Sequence, residues 1–583
     1  MTSSEEGLLS MVHVLALGAA LLLLAPCLTC GPRAADAKRV VMIPNPLTSH
    51  TKYHTNVARA LHKRGHQVWV TMPDYLVQKG QLDVTNFTVI EYNATVNVEE
   101  TAMNNSRGSY FNGEGEDLIM LIGLIKGYCD TMLRNETFYE QIKSLKPDLI
   151  VIDNLPQTKM LAVLPYKMGV PFAFLGSVYQ PLDQRIPFSP AVMPLQIFKV
   201  TDRLTFFQRV VTVLIAIGWS LADPFVYTDA VARYAPDRPY ISADMLIAHA
   251  EIWLVEMDHI LDYPRPTMPN IKLIGGTATG PAKPLKGRFK EFVEDAPNGV
   301  AIVSFGSYVL DVPTEISDKL WKVFSQLPYK IIFRSNLTSP DPDKILTSPW
   351  IPQNDLLGNP KTKVFVSHCG KNGQYEALYH AVPVVATPIF GDQPYNAERM
   401  RVKGFAEVMD LRDSTADEMV ETIMEVSGNP KYKENIAAAS RLFRQQYHVP
   451  MEEAAFWLEH VMEYGGAYMR SSGHDMPLYQ FMLIDVIAFI VGCALTIIAM
   501  ILGTLYLFWR FACTRERRDY VLLIVMDEKS LFTAKKRLHR VCRKAIRASK
   551  KSFLAVSKVF MIHRCQNADC RDRKSYTRKI EFA

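Results

Sequence analysis

Short apolar runs alternate with segments of helical spacing through most of the chain. The runs RVVMIP (39–44) and QVWVT (67–71) flank a segment whose helical pattern ends at Gly65. DLIVID (148–153) and PFAFLG (171–176) repeat this arrangement further along. Strands of a parallel sheet are buried on both faces and therefore read as continuous apolar runs. The alternation predicts βαβ units and an α/β fold.

A segment rich in proline and glycine, residues 263–287, interrupts the alternation, which then begins again. The later apolar runs are VAIVSF (300–305), KIIFR (330–334), KVFVS (363–367) and VPVVAT (382–387). A chain of 583 residues is also too long for a single core. We therefore predict two facing, Rossmann-like, doubly wound domains. The predicted N-terminal domain spans 38–265, the linker 266–287, and the C-terminal domain 288–470 with a returning helix.

Two apolar segments predict the topology. Residues 15–24 form a short apolar core followed by small residues, as in a secretory signal peptide, which we place at 1–31. Residues 486–509 carry no charge and are long enough for a transmembrane helix. Arginines follow directly, so the positive-inside rule places the body in the lumen and the tail, 510–583, in the cytosol. The sequence predicts a single-pass type I protein of the endoplasmic reticulum or another secretory-pathway membrane.

The net charge of +6 is unevenly distributed. The tail holds roughly three times as many Lys and Arg as Asp and Glu, so the body is mildly acidic. This distribution does not indicate a nucleic-acid enzyme. Residues 529–551 have the pattern of a basic amphipathic helix for anionic lipid, the alternative being a solvated tail. The tail ends without a dilysine signal, which leaves the compartment of retention open.

Other features of the body fit a secretory lumen. Five tripeptides predict N-glycosylation where they are exposed, at Asn86, Asn93, Asn104, Asn135 and Asn336. After signal removal the body keeps essentially Cys129 and Cys369, whose pairing we do not expect. The apolar stretch 210–221 is too short for a membrane span. It is either a buried helix or a helix lying in the lumenal leaflet near an acceptor site.

Residues 365–394, FVSHCGKNGQYEALYHAVPVVATPIFGDQP, place small and polar side chains where predicted strands end. The first group is His368, Gly370, Asn372 and Gly373, between a strand and the start of a helix. Backbone N–H groups at a helix start, with glycines that permit close approach, bind anions. The group therefore predicts a phosphate site.

Neighbouring positions supply the other contacts that a nucleotide sugar needs. Glu376, one turn into the helix, suits ribose hydroxyls. Asp392 and Gln393, after the next strand, pair a carboxylate with an amide and suit the vicinal hydroxyls of a sugar. Upstream, Trp350 offers a stacking face and Gln353 a contact to a base edge.

The order of these residues resembles the UDP-glycosyltransferase family, specifically the membrane-bound branch that includes the UDP-glucuronosyltransferases. WIPQNDLLGNPKTKVFVSHCGKNGQYEALYHAVPVV and PIFGDQPYN match that family's signature, and the resemblance extends from about Val40 through the transmembrane segment. It implies a GT-B fold, an inverting mechanism, a UDP-sugar as co-substrate and no metal or other cofactor.

The resemblance also implies a role for each residue of the signature. Trp350 would stack on uracil beside Gln353, and Glu376 would hold the ribose. Asp392 and Gln393 would hold the transferred sugar. The diphosphate would be bound by Ser307, His368, Gly370, Asn372 and Gly373.

The family's catalytic histidine and its partner carboxylate align with His50 and Asp153. A hydroxyl is a weak nucleophile at neutral pH, and a positioned imidazole can take its proton as it attacks. A carboxylate behind the imidazole fixes its tautomer and stabilises the cation. An α-linked donor would then give a β-glycoside.

Two other patterns are alternatives to this chemistry. His50 and His54 are spaced as in a zinc-binding pair, but the sequence shows no third ligand. Asp341 and Asp343 mimic the metal-binding carboxylates of metal-dependent transferases, but they lie in a segment rich in serine and proline, where we predict a turn.

Donor choice is predicted from one position. Glucuronate users of the family carry an arginine where this chain, aligned on its PRP at 264–266, has Glu256. A carboxylate would repel glucuronate, so we predict UDP-glucose first and UDP-galactose second, with UDP-glucuronate as the alternative. A catalytically silent nucleotide-sugar-binding membrane protein is the alternative of another class. The other predicted partners are a small lipophilic acceptor and membrane lipid, with no nucleic acid; self-association stays open.

Overall fold

The computed structural model describes residues 37–524, except 115–116, 157, 188, 197–198, 228–229 and 448, together with 532–545 and 547. The predicted signal peptide and most of the tail beyond residue 524 lie outside the described residues. The chain divides into two compact units, Met1–Met482 and Leu483–Ala583.

The first unit contains two parallel sheets, and the first sheet has seven strands in the order β3-β2-β1-β4-β5-β6-β7. Val41 of β1 pairs with Trp69 of β2 on one side and with Ile150 of β4 on the other. Every residue of β4 is buried, as its unbroken apolar run predicts. The strands are β1 (Arg39–Ile43), β2 (Gln67–Pro73), β3 (Thr88–Tyr92), β4 (Leu149–Asp153), β5 (Phe172–Gly176), β6 (Trp253–Val255) and β7 (Ile271–Leu273).

The second sheet has six parallel strands in the order β10-β9-β8-β11-β12-β13. Its central strands β8 and β11 pair from Thr362 with Val300 to Ser367 with Ser304. The strands are β8 (Val300–Ser304), β9 (Lys330–Arg334), β10 (Ile345–Ser348), β11 (Thr362–Ser367), β12 (Val384–Ala386) and β13 (Ala406–Val408). The prediction of two parallel α/β sheets is confirmed.

Helices connect the strands of both sheets. In the first part of the chain they are α1 (Thr48–Lys63), α2 (Asp74–Lys79), α3 (Val98–Asn112), α4 (Leu118–Arg134), α5 (Glu136–Ser144), α6 (Val163–Met168), α7 (Phe206–Tyr227), α8 (Ala230–Tyr234) and α9 (Ala243–Ala248). They continue as α10 (Gly287–Glu294), α11 (Thr314–Gln326), α12 (Gln353–Leu357), α13 (Lys371–His380), α14 (Gln393–Val402), α15 (Ala416–Gly428), α16 (Pro430–Gln446), α17 (Pro450–Tyr464), α18 (Leu478–Phe481) and α19 (Ile484–Ile524). Short 3₁₀ helices cover Thr158–Ala162, Ala467–Met469 and Ser472–Asp475.

The strand order reverses once in each sheet. In the first sheet the reversal lies between β1 and β4, and in the second between β8 and β11. In open α/β sheets ligands bind outside the carboxyl ends of the strands at such a switch point. The predicted catalytic residues follow β1 and end β4, and the predicted phosphate site follows β11. The fold therefore puts both groups of predicted residues at ligand-binding positions.

The returning helix, α17, packs against helix α1, which follows the first strand of the first sheet. Ala454 and Leu458 of α17 lie in one buried cluster with Val57 and Leu61 of α1. Nε2 of His66 is 2.8 Å from Oε1 of Glu459 at the edge of this contact. Helix α17 thus ties this later part of the chain back to its first βαβ unit.

The segment predicted as a linker needs a correction. Ile271–Leu273 forms the strand β7 and pairs with β6, so part of residues 266–287 belongs to the first sheet. A strand of three residues is too short to show a periodicity, and the surrounding prolines and glycines hid it. We propose that the N-terminal domain extends at least to Leu273.

Two apolar helices differ in extent from their predicted segments. The stretch from Ile484 to Arg518 within α19 is long and apolar enough to cross a membrane, and it includes the predicted 486–509. Helix α7 has 22 residues instead of the predicted 12. Within the predicted stretch one face is exposed, with Val211 at 44% and Leu214 at 62%, while Thr212 and Ala216 are buried. This part of α7 is therefore only partly buried, with an exposed apolar face.

Candidate active site

His50 and Asp153 meet at the switch point of the first sheet. Asp153 is the last residue of β4 and is fully buried, and His50 lies in the first turn of α1, just after β1. Nδ1 of His50 is 2.9 Å from Oδ2 of Asp153. The two residues are 103 positions apart in the chain, and the pairing of β1 with β4 brings them together.

The electrostatics of this pair suit a general base. Burial works to raise the pKa of Asp153, but the charge and hydrogen bond of His50 outweigh it and hold that pKa well below its usual range. Burial likewise works to lower the pKa of His50, but the charge and hydrogen bond of Asp153 raise it overall. An ionised carboxylate can only accept, so Nδ1 carries the hydrogen and Nε2 is left free to take a proton.

Two further side chains of α1 contact Asp153: Tyr53, which no sequence motif singled out, and His54, which the sequence suggested only as half of a zinc-binding pair. The Tyr53 hydroxyl donates to Oδ2 of Asp153 at 2.7 Å. Nε2 of His54 is 3.2 Å from the carbonyl oxygen of Leu175 and 3.5 Å from Oδ2 of Asp153. Burial lowers the pKa of His54, which keeps this ring neutral. Tyr53 follows His50 by three residues, a helical spacing that places both side chains on one face of α1. This spacing was a signal in the sequence for Tyr53 as a further residue of the site.

The metal alternatives find no support in the described part of the chain. Among those residues no group of three or more His, Cys, Asp and Glu side chains is placed to hold a metal ion. Asp341 and Asp343 lie in and beside the turn before β10, where the backbone N–H of Lys344 donates to the Asp341 carboxylate at 3.3 Å. Cys129 and Cys369 are both buried, and no disulfide joins them in the described residues.

The predicted phosphate site lies between β11 and α13. Helix α13 begins after Gly370, and no side chain within the described residues caps its first turn. Gly306 and Gly370 lie on either side of the His368 ring: a Cβ at these positions would come within 2.6 Å and 2.4 Å of Nε2. Gly306 also has a positive φ of 86°, which favours glycine. These glycines therefore make the space that the imidazole occupies.

His368 is neutral in this setting, because burial lowers its pKa to about 4. A neutral imidazole still carries one N–H that can donate to a phosphate. Ser307, another of the predicted diphosphate residues, is half-buried three residues after Ser304, the last residue of β8. Asn372 lies in the first turn of α13, and its side-chain amide donates to the carbonyl oxygen of Ser49 at 3.4 Å.

The predicted ribose and base residues are in contact with one another. Glu376 is fully buried, and its two oxygens accept from Gln353 and from Lys52, whose Nζ is 3.1 Å from Oε1. Trp350 is 43% exposed, and the Arg334 guanidinium lies 4.9 Å from its ring centroid. Lys52 belongs to α1, so Glu376 also bridges the two sheets. This contact was not visible in the sequence, because its partners are 324 residues apart.

Asp392 and Gln393 lie at the start of α14 and differ in their exposure and in their hydrogen bonds. Asp392 is exposed and accepts from the side-chain amide of Asn396 at 2.7 Å. Gln393 is buried, and its Oε1 accepts from the backbone N–H groups of Ile389 at 2.8 Å and Phe390 at 3.1 Å. The amide nitrogen of Gln393 is then the group left to donate to a ligand.

The two groups of predicted residues face one cleft. The hydroxyls of Ser49 and Tyr308 are 2.7 Å apart, which joins the start of α1 to the loop after β8. Nζ of Lys371, in the first turn of α13, donates to the carbonyl oxygen of Ser177 at 3.2 Å. The charge of Asp392 contributes to the raised pKa of His50. His50 and Asp392 are therefore close enough to interact electrostatically.

Glu256 lies in the same cleft, after β6, and is fully buried. Its Oε1 accepts from the backbone N–H of Thr277 at 3.1 Å and from the Thr277 hydroxyl, whereas Oε2 has no partner among the described residues. Burial raises the pKa of Glu256 to about 7, against the effect of the Thr277 hydrogen bonds. Burial lowers the pKa of Lys371 to about 8, although the charges of Asp392 and Glu256 oppose this.

Comparisons with known proteins agree with this geometry. The chain matches the family described as "UDP-glucoronosyl and UDP-glucosyl transferase" over residues 38–518. It is 31% identical to UDP-glucuronosyltransferase 2B7 of Homo sapiens over 417 residues, covering 69% of this chain and 78% of the relative. It is 32% identical to UDP-glucuronosyltransferase 2A1 of Mus musculus over 411 residues, covering 68% and 77%.

Solved structures share the fold. The glycotransferase of kitacinnamycin superposes with a TM-score of 0.52 at 20% identity, covering 73% of this chain and 98% of that protein. A UDP-glucosyltransferase from Polygonum tinctorium capable of glucosylating indoxyl superposes with a TM-score of 0.51 at 16% identity, covering 74% and 99%. At these identities the similarity bears on the fold alone, and it confirms the predicted GT-B architecture.

Proposed function

Because the chain belongs to the UDP-glycosyltransferase family and is an enzyme of glycosyl transfer from UDP-sugars, we propose that it transfers a neutral hexose to the hydroxyl of a small lipophilic acceptor. Glucose is the first choice of sugar and galactose the second. The observation that carries the proposal is the position of the His50–Asp153 pair, which faces the start of α13 across one cleft.

In the proposed mechanism His50 is the general base. Nε2 of His50 takes the proton of the acceptor hydroxyl as that oxygen attacks C1 of the sugar. Asp153 stabilises the imidazolium that forms. UDP leaves from the opposite face, so an α-linked donor gives a β-glycoside.

The leaving diphosphate would be held by this chain's own groups. The first turn of α13 presents Asn372 and Gly373 at a helix N-terminus, which favours negative charge. His368 and Ser307 would add neutral donors. We propose on this basis that transfer needs no metal ion. Glu376 would bind the ribose after Lys52 releases one of its oxygens, and Trp350 with Gln353 would bind the uracil.

The test of the proposal is UDP release by the full-length protein in detergent, with UDP-hexose and a panel of phenols. We expect release that depends on an acceptor and persists in a chelator. The matched control omits the acceptor. Binding of UDP without any release, across a broad panel, would favour the silent binding protein instead.

The donor preference is predicted from the charge and burial of Glu256. An ionised carboxylate in the cleft repels the glucuronate carboxylate by about 1 kcal/mol in water, and by more in a closed site. We expect kcat/KM for UDP-glucose to exceed that for UDP-glucuronate by at least about fivefold with one shared acceptor. Glu256→Arg should narrow this gap, since charge-assisted pairing replaces repulsion. A clear preference of the wild type for UDP-glucuronate would refute the donor assignment.

The same carboxyl gives the donor preference a pH dependence. With a raised pKa of about 7, Glu256 is mostly neutral at pH 6 and mostly ionised at pH 8. The ratio of kcat/KM for UDP-glucose over UDP-glucuronate should therefore rise between these values. Glu256→Gln keeps the shape of the side chain and should give a flat ratio, which makes it the matched control.

We propose a type I topology with the body in the lumen. The apolar stretch Ile484–Arg518 supports membrane anchoring, and the basic residues after 509 support a cytosolic tail. All five candidate glycosylation asparagines are exposed. In intact microsomes, protease should remove a C-terminal tag and leave the glycosylated body intact; detergent, as the control, should expose the body too. A tag protected in intact vesicles would reverse the topology.

The exposed apolar side chains at the start of α7 support the proposal that the acceptors are lipophilic. Phe206, Phe207 and Leu214 present an apolar surface on the first unit. An apolar helix surface of this kind suits the interface of a membrane, from which lipophilic acceptors can enter.

A further inference from the structure

Tyr53 has no role in the mechanism above, yet it is in contact with both catalytic residues. It is 2% exposed and lies one turn after His50 on α1. Its hydroxyl donates to Oδ2 of Asp153 at 2.7 Å and also contacts Nδ1 of His50. The other carboxylate oxygen, Oδ1, accepts from the backbone N–H of Leu155 at 2.8 Å. Asp153 is therefore held at both oxygens by groups other than the imidazole.

The protons in this cluster can be assigned. Burial, and then the charge of Asp153, raise the pKa of Tyr53 far above its usual value, so the phenol keeps its proton. Asp153 is ionised and has none to give. The single phenol proton goes to Oδ2 of Asp153, and so Nδ1 of His50 must supply its own hydrogen to the same oxygen.

We propose that Tyr53 is a positioning residue, which holds the Asp153 carboxylate in place and shares its Oδ2 with His50, and so sets how strongly the imidazole holds a proton. The inference rests on the proposed role of His50 as the base. A carboxylate that is already oriented stabilises the imidazolium without reorganising during the reaction. A donor to that carboxylate also disperses its charge, which weakens its pull on the imidazolium.

Other charged and titratable groups interact electrostatically with His50, with Tyr53 or with Glu256 beside them. They are His54 on α1, Glu256 after β6, Tyr308 after β8, and Asp392 with Lys371 at the starts of α14 and α13. His54 is the only one of these within 3.5 Å of Asp153 in the described residues, and its Nε2 is closer to the carbonyl oxygen of Leu175. Tyr53 is thus the group best placed to share Oδ2.

The test is the pH profile of kcat/KM for the acceptor in Tyr53→Phe, which removes only the hydroxyl. The lost donor concentrates the carboxylate charge, so His50 should hold its proton to a higher pH. We expect the acidic limb of the profile to move up by roughly half to one pH unit. A shift of this size corresponds to the free energy that one ordinary hydrogen bond contributes. The plateau kcat should fall several-fold, and the KM for UDP-sugar should stay unchanged. Tyr75→Phe is the matched control, since that hydroxyl donates to the Pro46 carbonyl oxygen at 2.7 Å.

A second variant covers the case in which Tyr53→Phe does not fold. 3-Fluorotyrosine at position 53 keeps the ring and makes the phenol a stronger donor, so the acidic limb should move down. An unchanged limb in either folded variant, or a shift of opposite sign, overturns the inference. That outcome leaves the base assignment intact if His50→Ala is inactive. A His50→Ala variant that keeps its turnover would instead overturn the base assignment itself.

Discussion

His50→Ala is expected to lower the kcat of transfer by about 10²- to 10⁴-fold, the usual contribution of a positioned general base. Binding of UDP-sugar should be nearly unchanged, because the residues proposed to hold the donor follow strands of the second sheet. Initial rates at saturating donor and acceptor measure kcat, and calorimetric titration of UDP-sugar into the purified protein without acceptor measures donor binding.

The matched control is His62→Ala. His62 lies in the last turn of the same helix and is exposed, so it tests for general effects of a histidine substitution in α1. It should keep wild-type turnover. If His50→Ala also keeps most of its turnover while the protein is folded, the assignment of His50 as the base is wrong.

Arg399→Leu is expected to lower the free energy of unfolding strongly, because Arg399 lies in the buried part of the second sheet's helices. Arg399 is fully buried in α14 and pairs with Asp262, with a further hydrogen bond to Gln374. Removing one partner of a buried ion pair leaves an uncompensated charge and typically destabilises by about 3–5 kcal/mol. The hydroxyl of Tyr375 donates to the other oxygen of Asp262 at 3.3 Å, but cannot replace the charge. We expect Tm to fall by roughly 5 °C in detergent.

Arg401→Leu is the control for this prediction. Arg401 lies in the same helix and pairs with Glu398 at 2.7 Å, but its side chain is 45% exposed. Exposed pairs contribute about 0–1 kcal/mol, so Tm should hardly change. Equal values of Tm for the two variants would show that the Arg399 pair does not anchor the segment around Asp262 to the second sheet.

The sequence predicted the central strands of both sheets for a physical reason. A strand such as β4, covered on both faces, has to be apolar throughout, and that run is visible without any alignment. The three-residue strands β6, β7 and β13 were not predicted. They are too short for a pattern and are formed by pairing with neighbours that the sequence does not identify.

The candidate site divides in a similar way. The strand end at Asp153 and the turn at His368 could be predicted, because such positions are marked locally in the chain, whereas the role of Asp153 came from the family resemblance. The contact of Lys52 with Glu376 could not, since it depends on how two sheets from distant parts of the chain pack. The buried setting of Glu256, which sets its pKa, likewise comes only from the fold.

The measurement that tests the central claim most directly compares wild type and His50→Ala on acceptors of graded acidity at saturating UDP-sugar. A nitrophenol loses its proton without help near neutral pH, whereas an aliphatic alcohol needs a base at the moment of attack. We predict that the deficit of the variant is largest for the alcohol and becomes small for the nitrophenol. An equal deficit for both acceptors would contradict the account, because it would mean that His50 does not act by taking the acceptor's proton.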